Sequence, residues 1–246
     1  MARPGKGRPD YRRLDAKLII QTIDRLQARV SERFGDAGLA QVAAELARAA
    51  RDTEKRAKLL SQPYILTRIL ALAAVVAWAA TQYFLYTLID PRKLLGENDA
   101  GNLVQGIEAA VQLFVLMSAG VWFLLSLEER WKRRRVQGWL HELRAFAHVI
   151  DMHQLTKDPT VILNAGPRTP SSPDRSMTEF QLARYLEYCA EMLSLTGKLS
   201  ALYAGETKDA VVVEAAGDVE NLCTDLGRKV WQKIMILSEL DEGRKD

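Results

Sequence analysis

ILALAAVVAWAATQYFLYTLI, residues 69 to 89, runs for 21 residues without a charged side chain. In a helix rising about 1.5 Å per residue, such a run reaches about 30 Å, the thickness of a bilayer's hydrocarbon core. A helix buried inside a soluble protein is the competing reading, but the core of an ordinary domain rarely needs so long an uncharged run. Pro63 marks a helix boundary before it. Tyr83, Phe84 and Tyr86 enrich its second half, which suits a membrane–water interface.

A second run, LVQGIEAAVQLFVLMSAGVWFLLSL at 103 to 127, is uncharged from Ala109 onward and stops at EERWKRRR. The connection between the runs carries Pro91, Gly96 and Gly101 and is short, which favours an antiparallel hairpin. The sequence therefore predicts a transmembrane hairpin over 63–127, with spans at about 67–89 and 103–127 and an outer loop at 90–102. Basic residues crowd both outer flanks: Arg48, Arg51, Lys55, Arg56 and Lys58 before the first span, Arg130, Lys132, Arg133, Arg134 and Arg135 after the second. In the loop, Arg92 and Lys93 are offset by Asp90, Glu97 and Asp99. The positive-inside rule then predicts a multi-pass protein of the inner membrane with both termini cytoplasmic. Arg130, Lys132 and Arg133–Arg135 are also expected at lipid headgroups, with anionic lipid as a partner.

The spans carry few polar side chains. Gln105, Glu108 and Gln112 share one face of the second span, and Gln82 lies at a similar depth in the first. A polar group in hydrocarbon is expensive unless paired, so a contact of Gln82 with Glu108 or Gln112 is expected. Ala73, Ala77 and Ala80, and Gly106 with Ala110, are small residues that suit close helix packing. The same stripe could instead line an ion path if several hairpins surrounded an axis.

Outside the spans the pattern is helical throughout, so the fold class is all-α. Residues 1–13 read as a basic arm with no signal-peptide character. Residues 14–62 read as a cytoplasmic helical hairpin, with Ile19, Ile23, Leu26, Val30 and Phe34 on one face, a break at GDAG (35–38), and then Leu39, Val42, Ala43, Leu46 and Ala50. A juxtamembrane helix is expected over 128–156, its seam Val136, Leu140, Leu143, Ala147 and Ile150. The segment 157–176, with four prolines, reads as a flexible linker. Ser176 and Glu179 fit a capping box that starts a helical pair over 177–246. Its stripes are Leu182, Tyr185, Cys189, Met192, Thr196, Leu199 and Tyr203, then Val219, Leu222, Leu226, Val230, Ile234 and Leu237.

All three histidines fall between 141 and 153. At 100° per residue His141 and His148 share a face with Arg144 and Asp151, whereas His153 lies about 140° round from His148. The three cannot converge on one ion on a straight helix. His148 with Asp151, completed by Glu187 or Glu191 from another helix, is the weak metal-site candidate. Arg144 beside the pair argues against it, and a polar face with His148 bonded to Asp151 is the simpler expectation.

Cys189 and Cys223 give no disulfide framework and no zinc spacing. No Walker loop, GxGxxG, GxSxG, HExxH or paired CxxC occurs, and nothing accompanies the basic arm that would read nucleic acid. The expectation is a non-enzymatic, self-associating membrane scaffold or regulator without a cofactor, presenting cytoplasmic helices to a protein partner. A channel or transport component with Glu108, Gln112 and Gln82 facing a pore is the alternative, and a metal-dependent enzyme using the histidine helix the third.

Overall fold

The computed structural model describes residues 13–35, 37–60, 65–88, 100–159, 170–171 and 177–242. The expectations for the basic arm, most of the outer loop and most of the Pro-rich linker fall outside these residues. Among the described residues the fold is all-α, with six helices and no strand. They are α1 (Ala16–Phe34), α2 (Gly38–Leu60), α3 (Ile65–Leu88), α4 (Ala100–Leu155), α5 (Glu179–Gly205) and α6 (Ala210–Glu242).

The chain divides into two compact units. The larger combines Met1–Ser61 with Arg135–Asp246, and the smaller is Gln62–Arg134. The N-terminal hairpin, the end of α4 and the C-terminal pair, which read as separate segments in the sequence, thus share one core.

Local signals start and stop the helices of the larger unit. Asp15 caps α1, its side chain accepting from the Lys17 N–H at 2.8 Å. Gly35 ends it at φ +57°, a conformation that glycine adopts without a Cβ clash, and its N–H returns to the Ser31 carbonyl. α5 starts two residues later than a Ser176 cap would place it. Thr178 is the cap, in a reciprocal box with Gln181: its hydroxyl accepts the Gln181 N–H, and the Gln181 side chain accepts the Thr178 N–H. T-x-x-Q and S-x-x-E overlap in this stretch. Ser176 itself lies outside the described residues.

The expected stripes of α1, α2 and α4 are buried except for the half-buried Phe34 at the end of α1, with Val30, Leu46, Ala147 and Ile150 at 0% exposure. The stripe of α5 is buried too, but so are Leu186, Ala190, Leu193, Leu195 and Leu202. α5 is therefore not a two-faced surface helix. It is apolar around most of its circumference, as a helix at the centre of a core must be. α6 packs on it at Gly197, where a Cβ would stand in ordinary contact with the Cys223 side chain at 3.5 Å and the Glu220 backbone at 3.7 Å.

Polar and aromatic contacts fix how the other helices meet α5. Tyr203, fully buried, donates to the Thr53 hydroxyl of α2 at 3.3 Å and stacks on Trp139 of α4 with ring centroids 5.6 Å apart. Arg56 lies over Trp139 and pairs with Glu142 at 2.6 Å. Arg29 of α1 makes a forked pair with Glu191, and Phe34 packs edge-on against Tyr185. The half-exposed ion pairs fix geometry more than they add stability, about 0–1 kcal/mol each.

In the smaller unit, α3 and α4 supply two helices long and apolar enough to cross a membrane, within Thr67–Phe84 and Val104–Leu155. Only 11% of the first apolar window and none of the second is buried. A soluble core helix would be mostly buried. Trp78 faces Phe114 at 6.2 Å between centroids, and the Thr67 hydroxyl donates to Glu128 at 2.8 Å.

Candidate functional site

The histidine helix is the last part of α4, positioned by its buried seam Val136–Ile150. His141 and His148 are exposed, as their face opposite the seam requires. Asp151 does not serve as partner to His148 here: its carboxylate accepts from the Gln154 amide at 2.6 Å. Glu191 and Glu187, the carboxylates that could have completed a metal site, are held by Arg29 and Arg184. Among the described residues no group of three or more His, Cys, Asp or Glu is placed to hold a metal. Spacing on one helix fixes an angle, and the two carboxylates, both on α5, meet arginines.

His153, which helical angle separates from the other two, is the histidine built into the fold. Its ring lies against Gly38 at the start of α2, so that a Cβ on Gly38 would meet His153 Cε1 at 2.7 Å. Tyr185 donates its hydroxyl to the His153 carbonyl at 3.3 Å, and the same oxygen lies 3.5 Å from His153 Nδ1. Next to it, Lys233 of α6 donates to the Gln154 carbonyl at 2.9 Å and to Gln154 Oε1 at 2.6 Å. Gln154, only 2% exposed, passes the interaction on to Asp151. A chain of three hydrogen-bonded side chains, Lys233–Gln154–Asp151, thereby closes the end of α4.

The electrostatics of this junction follow from burial. The Tyr185 hydroxyl is pushed above its usual range by desolvation. The Cys189 thiol is pushed up to about 12 by the same cause, with Lys233 and Lys157 pulling it back. Desolvation lowers Lys233, while Asp158 and Asp151 act the other way. Protonated phenol and thiol beside a twice-engaged ammonium make a packing junction among α4, α5 and α6. In the sequence Tyr185 and Cys189 stand out only as members of an apolar stripe and Asp151 only as a partner for His148, while Lys233 and Gln154 do not stand out at all. The available signal was a Gln within the last turn of a helix, where a cation is favoured.

Within the candidate spans, Gln112 donates to Glu108 at 3.2 Å along its own helix, and Gln105, Glu108 and Gln112 are all exposed. Gln82 is half-buried. The expected partner for Glu108 across the hairpin is thus matched by one on the same helix. Sequence reasoning passed over Glu128. Buried at 9% exposure, it accepts from Thr67 of α3 and pairs with Lys132 at 2.8 Å. Of the five basic residues after the span, Lys132 and Arg133 are half-buried, while Arg130, Arg134 and Arg135 are exposed.

The chain matches no family model, no curated protein and no solved structure.

Proposed function

We propose that this is a two-span membrane protein whose larger unit is a cytoplasmic helical platform for protein partners and for a second copy of itself. The observation that carries the reading is the shared core. The chain leaves the larger unit at Ser61 and re-enters it at Arg135. Both flanks of a membrane segment lie in one folded body only when that segment crosses an even number of times. Two apolar, unburied helices between the flanks supply two crossings.

Two contacts support an antiparallel hairpin. Moving from Thr67 to Trp78 on α3 takes the partner from Glu128 back to Phe114 on α4. The basic flanks favour the cytoplasm for the platform, and the exposed Arg130, Arg134 and Arg135 suit anionic headgroups at about 1 kcal/mol each. Buried contacts that bind α1 and α2 to α5, such as Tyr203 with Thr53, give the platform the rigidity of a folded domain.

Alkaline carbonate extraction with single-cysteine labelling tests the reading. The protein should stay with the membrane pellet. A membrane-impermeant maleimide should label Asn98→Cys in intact cells and Lys208→Cys only after permeabilisation. Release into the supernatant, or labelling of both sites from outside, would overturn it.

A further inference from the structure

α6 keeps a second face out of the core. Val213, Gly217, Glu220, Thr224, Arg228, Trp231 and Met235 lie within about 40° of one line along the helix, at 100° per residue. Val213, Trp231 and Met235 are 45%, 56% and 60% exposed. Beside this line, α6 and α5 form a groove of about 490 Å³ whose walls include Gly197, Ala201, Glu220, Gly227, Arg228 and Trp231.

Gly217 lies on this line, and Gly227 about 60° round from Thr224 at its edge. A Cβ on Gly217 or Gly227 would meet nothing within 4 Å, and neither residue has a positive φ. Glycine within a helix costs stability relative to alanine. The two bare positions leave room for another backbone or a large side chain to come over them.

The order of residues along the line is self-complementary about Thr224. Turned end for end, the line sets Glu220 against Arg228, Gly217 against Trp231, Val213 against Met235, and Thr224 against itself. Each pair matches in chemistry: opposite charges, a bare position under a large ring, apolar with apolar. We infer that α6 is the contact between two copies of this chain, paired antiparallel about a two-fold axis through Thr224, with each Trp231 seated over Gly217 of the other copy. The inference deepens the self-association in the proposed function by naming its surface.

Such an axis runs across α6. Copies in one bilayer can pair this way only if α6 lies across the membrane normal, whereas copies in facing bilayers have no such restriction. Nanodiscs carrying one copy each, mixed, read the second arrangement; nanodiscs carrying two read the first.

The test is oxidative cross-linking of the full-length protein in nanodiscs, with the buried Cys189 and Cys223 left in place. Thr224→Cys should form a disulfide-linked dimer, and Lys229→Cys, about 140° round the helix, should form at least tenfold less. In the Thr224→Cys background, Glu220→Arg or Arg228→Glu alone should cut cross-linking about tenfold, and the two together should restore it. Gly217→Phe should abolish it while leaving the helical content unchanged. Equal cross-linking at 224 and 229, or a double charge swap no better than the singles, would overturn this surface. An oligomer that persists by mass in the charge variants would then leave self-association standing without it. A strictly monomeric wild type would overturn both.

Discussion

The Lys233 ammonium of α6 donates to both oxygens of Gln154, the backbone carbonyl and the side-chain amide, in the last turn of α4. Carbonyls at a helix C-terminus lack intrahelical partners, and a cation there also meets the negative end of the helix dipole. Lys233→Met should destabilise the larger unit by about 1–3 kcal/mol, because Gln154 Oε1 stays buried without this donor, while the Gln154 carbonyl still accepts from the Lys157 N–H. Burial lowers the Lys233 ammonium from its usual 10.5. The native state therefore sheds this proton before the unfolded chain does and holds fewer protons just below pH 10.5. Stability contributed through this group rises with pH across that window. Denaturant titrations at pH 8 and pH 10 should show a wild-type-minus-variant difference that grows; a difference that shrinks would refute the sign.

Gly38→Ala places a methyl where His153 Cε1 stands, at 2.7 Å. A cost of about 1–2 kcal/mol is expected from the overpacking, set against the helix propensity that alanine adds. Removing the ring with His153→Ala should relieve it. A double-mutant cycle in thermal or urea denaturation should therefore return a coupling of about 1 kcal/mol or more. Strict additivity would show that the ring swings aside freely.

Glu128→Leu removes the acceptor shared by Thr67 and Lys132 from a partly buried site. A loss of about 2–3 kcal/mol is expected in detergent unfolding, and Thr67→Val should cost less, near 1 kcal/mol. Glu128→Gln should fall between them, since an amide still accepts from Thr67. A variant as stable as wild type would show that the pair does not hold α3 to α4.

Both cysteines should be inert in the folded protein. Cys189 and Cys223 are buried, and desolvation raises their thiols to about 12 and about 11. A thiol reagent at pH 8 should label neither until denaturant is added, and then both. In the unfolded chain the thiols ionise near pH 9 while the native ones stay protonated, so the native state holds more protons above that pH. Stability should then fall by at most about 1.4 kcal/mol per pH unit for each thiol, from pH 9 up to the raised values. Rapid native-state labelling would show that the core opens locally around α5.

Much of the fold was legible because helical periodicity is a local property. Ile19, Ile23, Leu26 and Val30, and the seam Val136 to Ile150, are buried as their spacing requires. α5 was legible only in part: Leu182 to Tyr203 reads as one stripe, yet Leu186, Leu193 and Leu202 are buried as well. An apolar stripe says that a helix has a buried side. Whether it has only one depends on how many neighbours surround it.

By itself, the sequence determined where the helices lie, how long and apolar the two candidate spans are, and which angle each side chain takes on its own helix. Those follow from composition, caps and a 3.6-residue period, all of which act within a few residues. Only the tertiary structure decided that α5 is central, that both flanks of the candidate spans share one core, and which polar groups meet. Tyr185 and His153 are 32 residues apart, Thr67 and Glu128 are 61, and Lys233 and Gln154 are 79. An angle on one helix does not say which helix it will face. The histidine that helical spacing sets aside, His153, is buried in part because α2 and α5 come to it, while His148 keeps the spacing of a site and faces solvent.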